Sequence, residues 1–139
     1  MCGSIRPLKI NYILMKKIIV AIFLCSLSTL IFCQENKNID ISKLVINSFQ
    51  KNEFSKITES FDQTMKTALP VEKLKLVWDD LNYKCGIFQK MSTITVDKIQ
   101  NYDVTYILCH FEKMNLKMKT VFNDKNQIAG LFFIPENQE

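Results

Sequence analysis

The sequence predicts an α+β fold, with three N-terminal helices packed on one face of a four-stranded antiparallel sheet. Apolar residues before Gly86 recur with the period of amphipathic helices. After Gly86 they alternate with a period of two, and β-branched residues become frequent, as in strands. The connections between the predicted strands are short and polar, which favours antiparallel neighbours. Because the helices precede the strands instead of alternating with them, the class is α+β.

The helical half divides at residues that favour helix ends. Asp40 is a good N-cap for the first helix, and Asn52 is predicted to end it. A second helical region is predicted over residues 53–69, with Asp62, Gln63 and Thr64 as the place where its middle would loosen. The third has Pro70 in its first turn, where the missing N–H of proline costs nothing, and ends at Gly86, since glycine readily takes the left-handed conformation. The apolar stripe of the third helix is Val71, Leu74, Val77, Trp78, Leu81 and Cys85.

The second half is predicted to form a meander of four strands. These strands cover residues 88–98, 103–112, 115–122 and 127–135. A two-residue turn at Lys113 and Met114 would place Cys109 opposite Met118. In that register Cys109 lies far from Cys85, so the two are predicted to be buried thiols and not a disulfide.

This register assigns the side chains to two faces, because successive strand residues point to opposite sides. The first face is almost wholly apolar and is predicted to pack on the helices: Ile94, Val96, Ile107, Cys109, Phe111, Leu116, Met118, Phe122, Ala129, Leu131 and Phe133. The second face is mixed and is predicted to lie open: Thr93, Thr95, Tyr106, Leu108, His110, Lys117, Lys119, Phe132 and Ile134.

The N-terminus resembles a secretory signal. Lys16 and Lys17 precede an apolar run over residues 18–32, which is too short for a bilayer span and typical of a signal peptide. Residues 1–33 are therefore predicted to be a signal peptide with Met15 as the better initiator, and 34–139 a single domain. Since Phe32 occupies the place where a lipidation motif has a small residue, ordinary cleavage is favoured over a lipid anchor. The mature protein is expected to be periplasmic or secreted and free of the membrane.

The charge of the mature part excludes one class of partner. The whole chain has a formal charge of +4, but four of its 18 basic residues and none of its 14 acidic residues lie before residue 34. The remainder is therefore neutral, and it contains no arginine. Nucleic-acid binding requires clustered cations, so we expect none.

No pattern of catalytic, cofactor or metal-binding residues is visible. His110 is the only histidine, and it is predicted to lie on the open face beside Lys117. The acidic residues fall at turns or on polar helix faces, where a carboxylate in water is a poor general base. We therefore expect no enzyme activity, no catalytic residue, no cofactor and no metal.

Several segments resemble domain of unknown function 3887. The similar segments include 52–54, 61–66, 68–70, 73–74 and 129–135, together with Trp78 and Gly86. The resemblance implies a reduced member of the nuclear transport factor 2-like superfamily, a cone of helices on a curved sheet. Members occur as small exported proteins and ahead of α/β-hydrolase domains, and the family has no established activity.

Two roles remain open. The first is binding of a small apolar ligand in a helix–sheet cavity; the residues expected to line it are Trp78, Phe111, Met118, Phe122 and Phe133. An aromatic residue on such a stripe is more commonly part of the core, which is the alternative role of Trp78. The second is protein interaction or homodimerisation through the open face; its expected contacts are Tyr106, Leu108, Phe132 and Ile134.

Overall fold

The computed structural model describes Gly3 and residues 37–137, and within them the fold is α+β. Helix α1 covers residues 37–50. The other elements are α2 (Phe54–Glu59), α3 (Gln63–Ala68), α4 (Val71–Cys85), β1 (Phe88–Ile99), β2 (Tyr102–Phe111), β3 (Asn115–Phe122) and β4 (Ile128–Pro135). The strands form one antiparallel sheet in the order β1-β2-β3-β4, which confirms the predicted meander. The proposed signal peptide lies outside the described residues, apart from Gly3.

Helix α1 ends where the sequence predicts and begins earlier than predicted. Asn52 has a φ of 57°, and the Glu53 N–H donates to the Ser48 carbonyl at 2.8 Å, as in a Schellman motif. Asp40 is not the N-cap, because residues 37–40 are already helical. Between residues 37 and 137, no helix is both long and apolar enough to cross a bilayer.

The helix predicted over residues 53–69 is two helices, and the reason is a tertiary contact. The Ile128 N–H donates to the Ser60 carbonyl at 2.8 Å, and the Asp62 N–H donates to the Ile128 carbonyl at 3.0 Å. These bonds take the backbone out of helical geometry around the fully buried Phe61. The Asp62 carboxylate then caps α3 by accepting from the Met65 N–H at 2.7 Å.

Helix α4 presents a narrower buried stripe than predicted. Leu74, Trp78 and Cys85 are buried, whereas Val77 is 37% exposed. Gly86 ends the helix with φ 80° and ψ −179°, a combination that is open essentially to glycine alone. A Cβ at this position would lie 2.7 Å from the Cβ of Glu112, so the glycine also permits the close approach of the β2–β3 loop.

The register of the central hairpin differs from the predicted one by two residues. Cys109 pairs with Leu116, not Met118, and the turn is centred on Glu112 and Lys113. The loop N–H groups explain the difference: Glu112 donates to the Ile87 carbonyl and Lys113 donates to the Cys85 carbonyl. Because the shift is two residues, every side chain of β2 and β3 keeps its predicted face.

Bulges change the faces at both edge strands. In β4 the pairing shifts between Gly130 and Ile128, so Ile128 is fully buried in place of the predicted Ala129. In β1 it shifts near Gln89 and again between Met91 and Ile94. Val96 was predicted to be covered, but it is 39% exposed on this edge strand.

The core is one cluster that joins α1, α2, α4 and all four strands. An aromatic group lies at its centre. Phe49 stacks on Trp78 with 5.0 Å between ring centroids, and it contacts Phe133 edge-on at 5.7 Å. Trp78 in turn lies 6.0 Å from Phe111. The contacts between such rings add to the energy of burying them, so this group links four elements, α1, α4, β2 and β4.

Candidate functional site

A half-open pocket of about 240 Å³ lies beside the aromatic group. It is formed by the end of α1, the α3–α4 junction, one side of α4 and strand β4. The lining residues are Phe49, Leu69, Leu74, Val77, Asp80, Leu81, Leu131 and Phe133. Seven of these eight are apolar, so the pocket is suited to an apolar molecule.

The pocket has a buried end and an exposed end. Phe49 and Leu74 are fully buried, whereas Val77 is partly exposed to solvent. Asp80 is the charged lining residue, and its carboxylate accepts a 2.8 Å bond from the ammonium of Lys84. Both side chains of this ion pair are more than half exposed, so the charge belongs to the rim and the interior remains apolar.

The residues predicted to line a cavity are brought together, but only one of them borders this pocket. Phe133 is a lining residue. Trp78 and Phe111 are each 5% exposed, and Met118 and Phe122 are fully buried in the core cluster. The lining residues Leu69, Leu81 and Leu131 were not assigned to a site from the sequence. A helical stripe shows which residues are covered, but it does not show where the covering atoms leave a gap.

The open face of the sheet, on the side away from the core cluster, carries the four predicted interface residues in two pairs. Two rows cross β2, β3 and β4: Tyr106–Lys119–Phe132 and Leu108–Lys117–Ile134. A lysine of β3 therefore separates the apolar residues of β2 from those of β4. The Lys119 ammonium lies 5.7 Å from the centroid of the Tyr106 ring, and Phe132 is 53% exposed. The face is amphipathic, with lysine side chains between apolar ones.

His110 lies on this face as predicted, and it is part of a hydrogen-bond chain that the sequence did not reveal. The hydroxyl of Ser92 lies 2.7 Å from His110 Nε2, and His110 Nδ1 lies 2.9 Å from Asn115 Oδ1. The Asn115 amide nitrogen donates to Glu136 at 2.9 Å. Ser92 is 18 positions from His110, and Glu136 is 21 from Asn115, so no local pattern links them.

The two cysteines of the domain are buried free thiols, as predicted. Burial raises the pKa of the Cys109 thiol from its ordinary value near 9 to about 12. The neutral thiol is a poor nucleophile and metal ligand, so Cys109 serves as a small apolar core residue.

Within residues 37–137, no group of three or more His, Cys, Asp or Glu side chains is placed to hold a metal ion. A family model described as "Protein of unknown function (DUF3887)" matches residues 42–131. The chain belongs to the DUF3887 family. This match confirms the family resemblance, and it spans every residue lining the pocket except Phe133. Searches of curated proteins and of solved structures found no match for this DUF3887 chain.

Proposed function

We propose that this DUF3887 domain binds a small apolar ligand in the pocket between α4 and β4. The observation that carries the proposal is the half-open, apolar lining around about 240 Å³ of space, next to the buried core cluster. Apolar surface exposed in such a concave site gains free energy when a ligand removes it from water. The role of the pocket is binding and not catalysis. Its one charged lining residue, Asp80, is held in an exposed ion pair with Lys84 and leaves no charged group inside the pocket to act as an acid or base.

The volume limits the class of ligand. Water occupies about 30 Å³ per molecule in the liquid, so the pocket has room for roughly eight waters. It lies below the ~300 Å³ at which clefts for drug-sized ligands begin. We therefore propose a single ring or a short alkyl chain, with a polar end that reaches the rim near Asp80.

We also propose that the fold is the reduced nuclear transport factor 2-like cone. Its support is the arrangement in which helix residues and one sheet face share a single core cluster. Bulges in β1 and β4 add support, because bulges bend the strands that contain them. In such a cone the space between the helices and the sheet is the natural place for a ligand.

The proposed place of action is outside the cytoplasm, in the periplasm or the medium. Its support is the signal-peptide pattern of Lys16 and Lys17 followed by a short apolar run over residues 18–32. The domain that follows has balanced charges, and the pocket needs no cofactor. These features suit a carrier that binds its ligand outside the cytoplasm.

Filling the pocket tests the proposal. Replacing Leu81 with tryptophan places a larger side chain at the lining, whereas Leu76→Trp makes the same change at a residue that is 67% exposed and does not line the pocket. With 1-octanol as the probe and calorimetric titration as the measurement, Leu81→Trp should weaken binding about tenfold, the effect of losing about 1.4 kcal/mol of apolar contact. The Leu76→Trp variant should bind 1-octanol with the affinity of the natural chain. Equal affinity in both variants would refute the pocket as the binding site.

A second candidate function is self-association through the open face, favoured by the 53% exposure of Phe132. A two-fold dimer would bring the apolar pairs of β2 and β4 onto those of a second copy. Replacing Phe132 with glutamate should abolish such a dimer in sedimentation equilibrium. Tyr83→Glu, at an 83% exposed position of α4, is the control and should leave it intact. A natural chain that is strictly monomeric at high concentration would exclude this function.

A further inference from the structure

The chain of Ser92, His110, Asn115 and Glu136 has a defined direction. A carboxylate only accepts hydrogen bonds, so the Asn115 atom that faces Glu136 must be its NH₂ group. The Asn115 carbonyl oxygen therefore faces His110 Nδ1 and must accept a hydrogen bond from the Nδ1–H. With its proton on Nδ1, the neutral imidazole has an unprotonated Nε2, which accepts a hydrogen bond from the Ser92 hydroxyl.

This order matches the requirements for an activated nucleophile. A general base must lie about 2.6–3.2 Å from the proton-bearing atom, and a third group must orient the base. The Ser92–His110 distance is 2.7 Å, and the His110–Asn115 distance is 2.9 Å. Glu136 fixes the amide of Asn115, so the orienting group is itself held in place.

The backbone presents Ser92 to solvent. The register shifts between Met91 and Ile94, so that Ser92 and Thr93 together stand opposite Leu108 alone. Such a bulge re-aims the side chain at its position. Ser92 is exposed, whereas His110 is half-buried and held between β1 and β3. A molecule arriving from solvent therefore meets the hydroxyl before it meets the base.

We propose that Ser92 is an acyl-acceptor site, with His110 as its general base and Asn115 and Glu136 as positioning residues. Ser92 Oγ attacks the carbonyl carbon of a small activated ester while its proton passes to His110 Nε2. The new Oγ–carbon bond forms, the bond to the leaving oxygen breaks, and the alkoxide leaves with the electron pair. His110 then releases the proton to the leaving oxygen or to water. The product is one acyl-serine per chain. The site is separate from the proposed pocket, because His110 and the pocket-lining Phe133 lie on opposite sheet faces.

Acetylation by p-nitrophenyl acetate tests this site on the whole chain. Peptide mass mapping gives the rate of acetylation at each serine. Ser55 is the internal control, because it is exposed on α2 and the sequence has no second histidine that could act as its base. A general base contributes at least about 100-fold, so Ser92 should react about 100-fold faster than Ser55. His110→Gln should remove that difference.

The positioning residues have a separate readout. Asn115→Leu should slow acetylation of Ser92 with little change in circular dichroism, whereas Glu136→Gln, whose carbonyl oxygen can still accept from the Asn115 amide, should preserve it. Free imidazole should partly restore the rate in His110→Ala. The proposal is overturned if Ser92 reacts no faster than Ser55 in the natural chain, or if Ser92 reacts equally fast in His110→Gln.

Discussion

Replacing Phe49 with alanine is expected to lower the free energy of unfolding by about 4 kcal/mol, within the range of buried Phe→Ala changes. Phe49 is fully buried, and its ring contacts Phe54, Trp78 and Phe133. The substitution therefore removes one ring from a group that joins α1, α2, α4 and β4. Phe49 borders the pocket, so on that side of the ring there are few atoms that could move in to fill the gap left by the substitution. Urea unfolding followed by circular dichroism measures the loss.

The matched control is Tyr83→Ala, an aromatic-to-alanine change at a residue of α4 that is 83% exposed. Changes at such exposed positions are usually within about 0.5 kcal/mol. If Phe49→Ala were as mild as Tyr83→Ala, the aromatic group would not be the centre of the core, and the position of the pocket beside it would lose its basis.

The stability of the domain is expected to fall in alkaline solution because of Cys109. Its thiol has a pKa near 9 when exposed and about 12 in the folded chain, since burial disfavours the thiolate. Below pH 9 both states hold the proton, and the contribution to stability is fully present. Above pH 9 the unfolded chain loses the proton first, so stability falls as the pH rises towards 12. The loss between pH 8 and pH 11 is about 3 kcal/mol at about 1.4 kcal/mol per pH unit.

Comparison with Cys109→Ala isolates this effect from the titration of lysine and tyrosine. The variant should be less stable at pH 8, because a buried side chain has been shortened, but its stability should fall less steeply above pH 9. Urea unfolding at several pH values gives both curves. Parallel curves for the two chains would show that Cys109 ionises as readily in the folded state as in the unfolded state.

The strands were predictable because alternation is a local signal. All four observed strands lie within one residue of their predicted bounds at each end, as in Phe88–Ile99 against residues 88–98. The faces of β2 and β3 were predicted correctly, although the position of the turn between these strands was not. The N–H groups of Glu112 and Lys113 donate to the carbonyls of Ile87 and Cys85 at the end of α4, which the sequence of the hairpin does not show. A one-residue error would have reversed the faces, but this error was two residues.

The missed features depend on contacts between distant parts of the chain. The break between α2 and α3 comes from hydrogen bonds to Ile128, whereas the sequence indicated only a looser middle at residues 62–64 of one helical region. The bulge in β4 that buries Ile128 in place of Ala129 lies at the same contact. Local propensity cannot predict the helix break or the bulge, because the two segments that form these hydrogen bonds are more than 60 positions apart.

The location of the pocket was predictable, but its lining was not. Apolar spacing predicted a cavity between α4 and the sheet, but it selected the residues that fill the core. Those that border the gap, such as Leu69 and Leu81, have the same apolar character. His110 was judged alone, because Ser92 and Asn115 reach it only through strand pairing and a bulge.

The most direct test of the pocket is a leucine-methyl NMR titration of the natural chain with 1-octanol. We expect the methyl groups of Leu69, Leu74, Leu81 and Leu131 to shift together and to saturate, since these residues line the pocket. Leu108 on the open face and Leu116 in the closed core should remain unchanged. Shifts that appear at Leu108 first, or no saturable shift at the four lining leucines, would contradict ligand binding between α4 and β4.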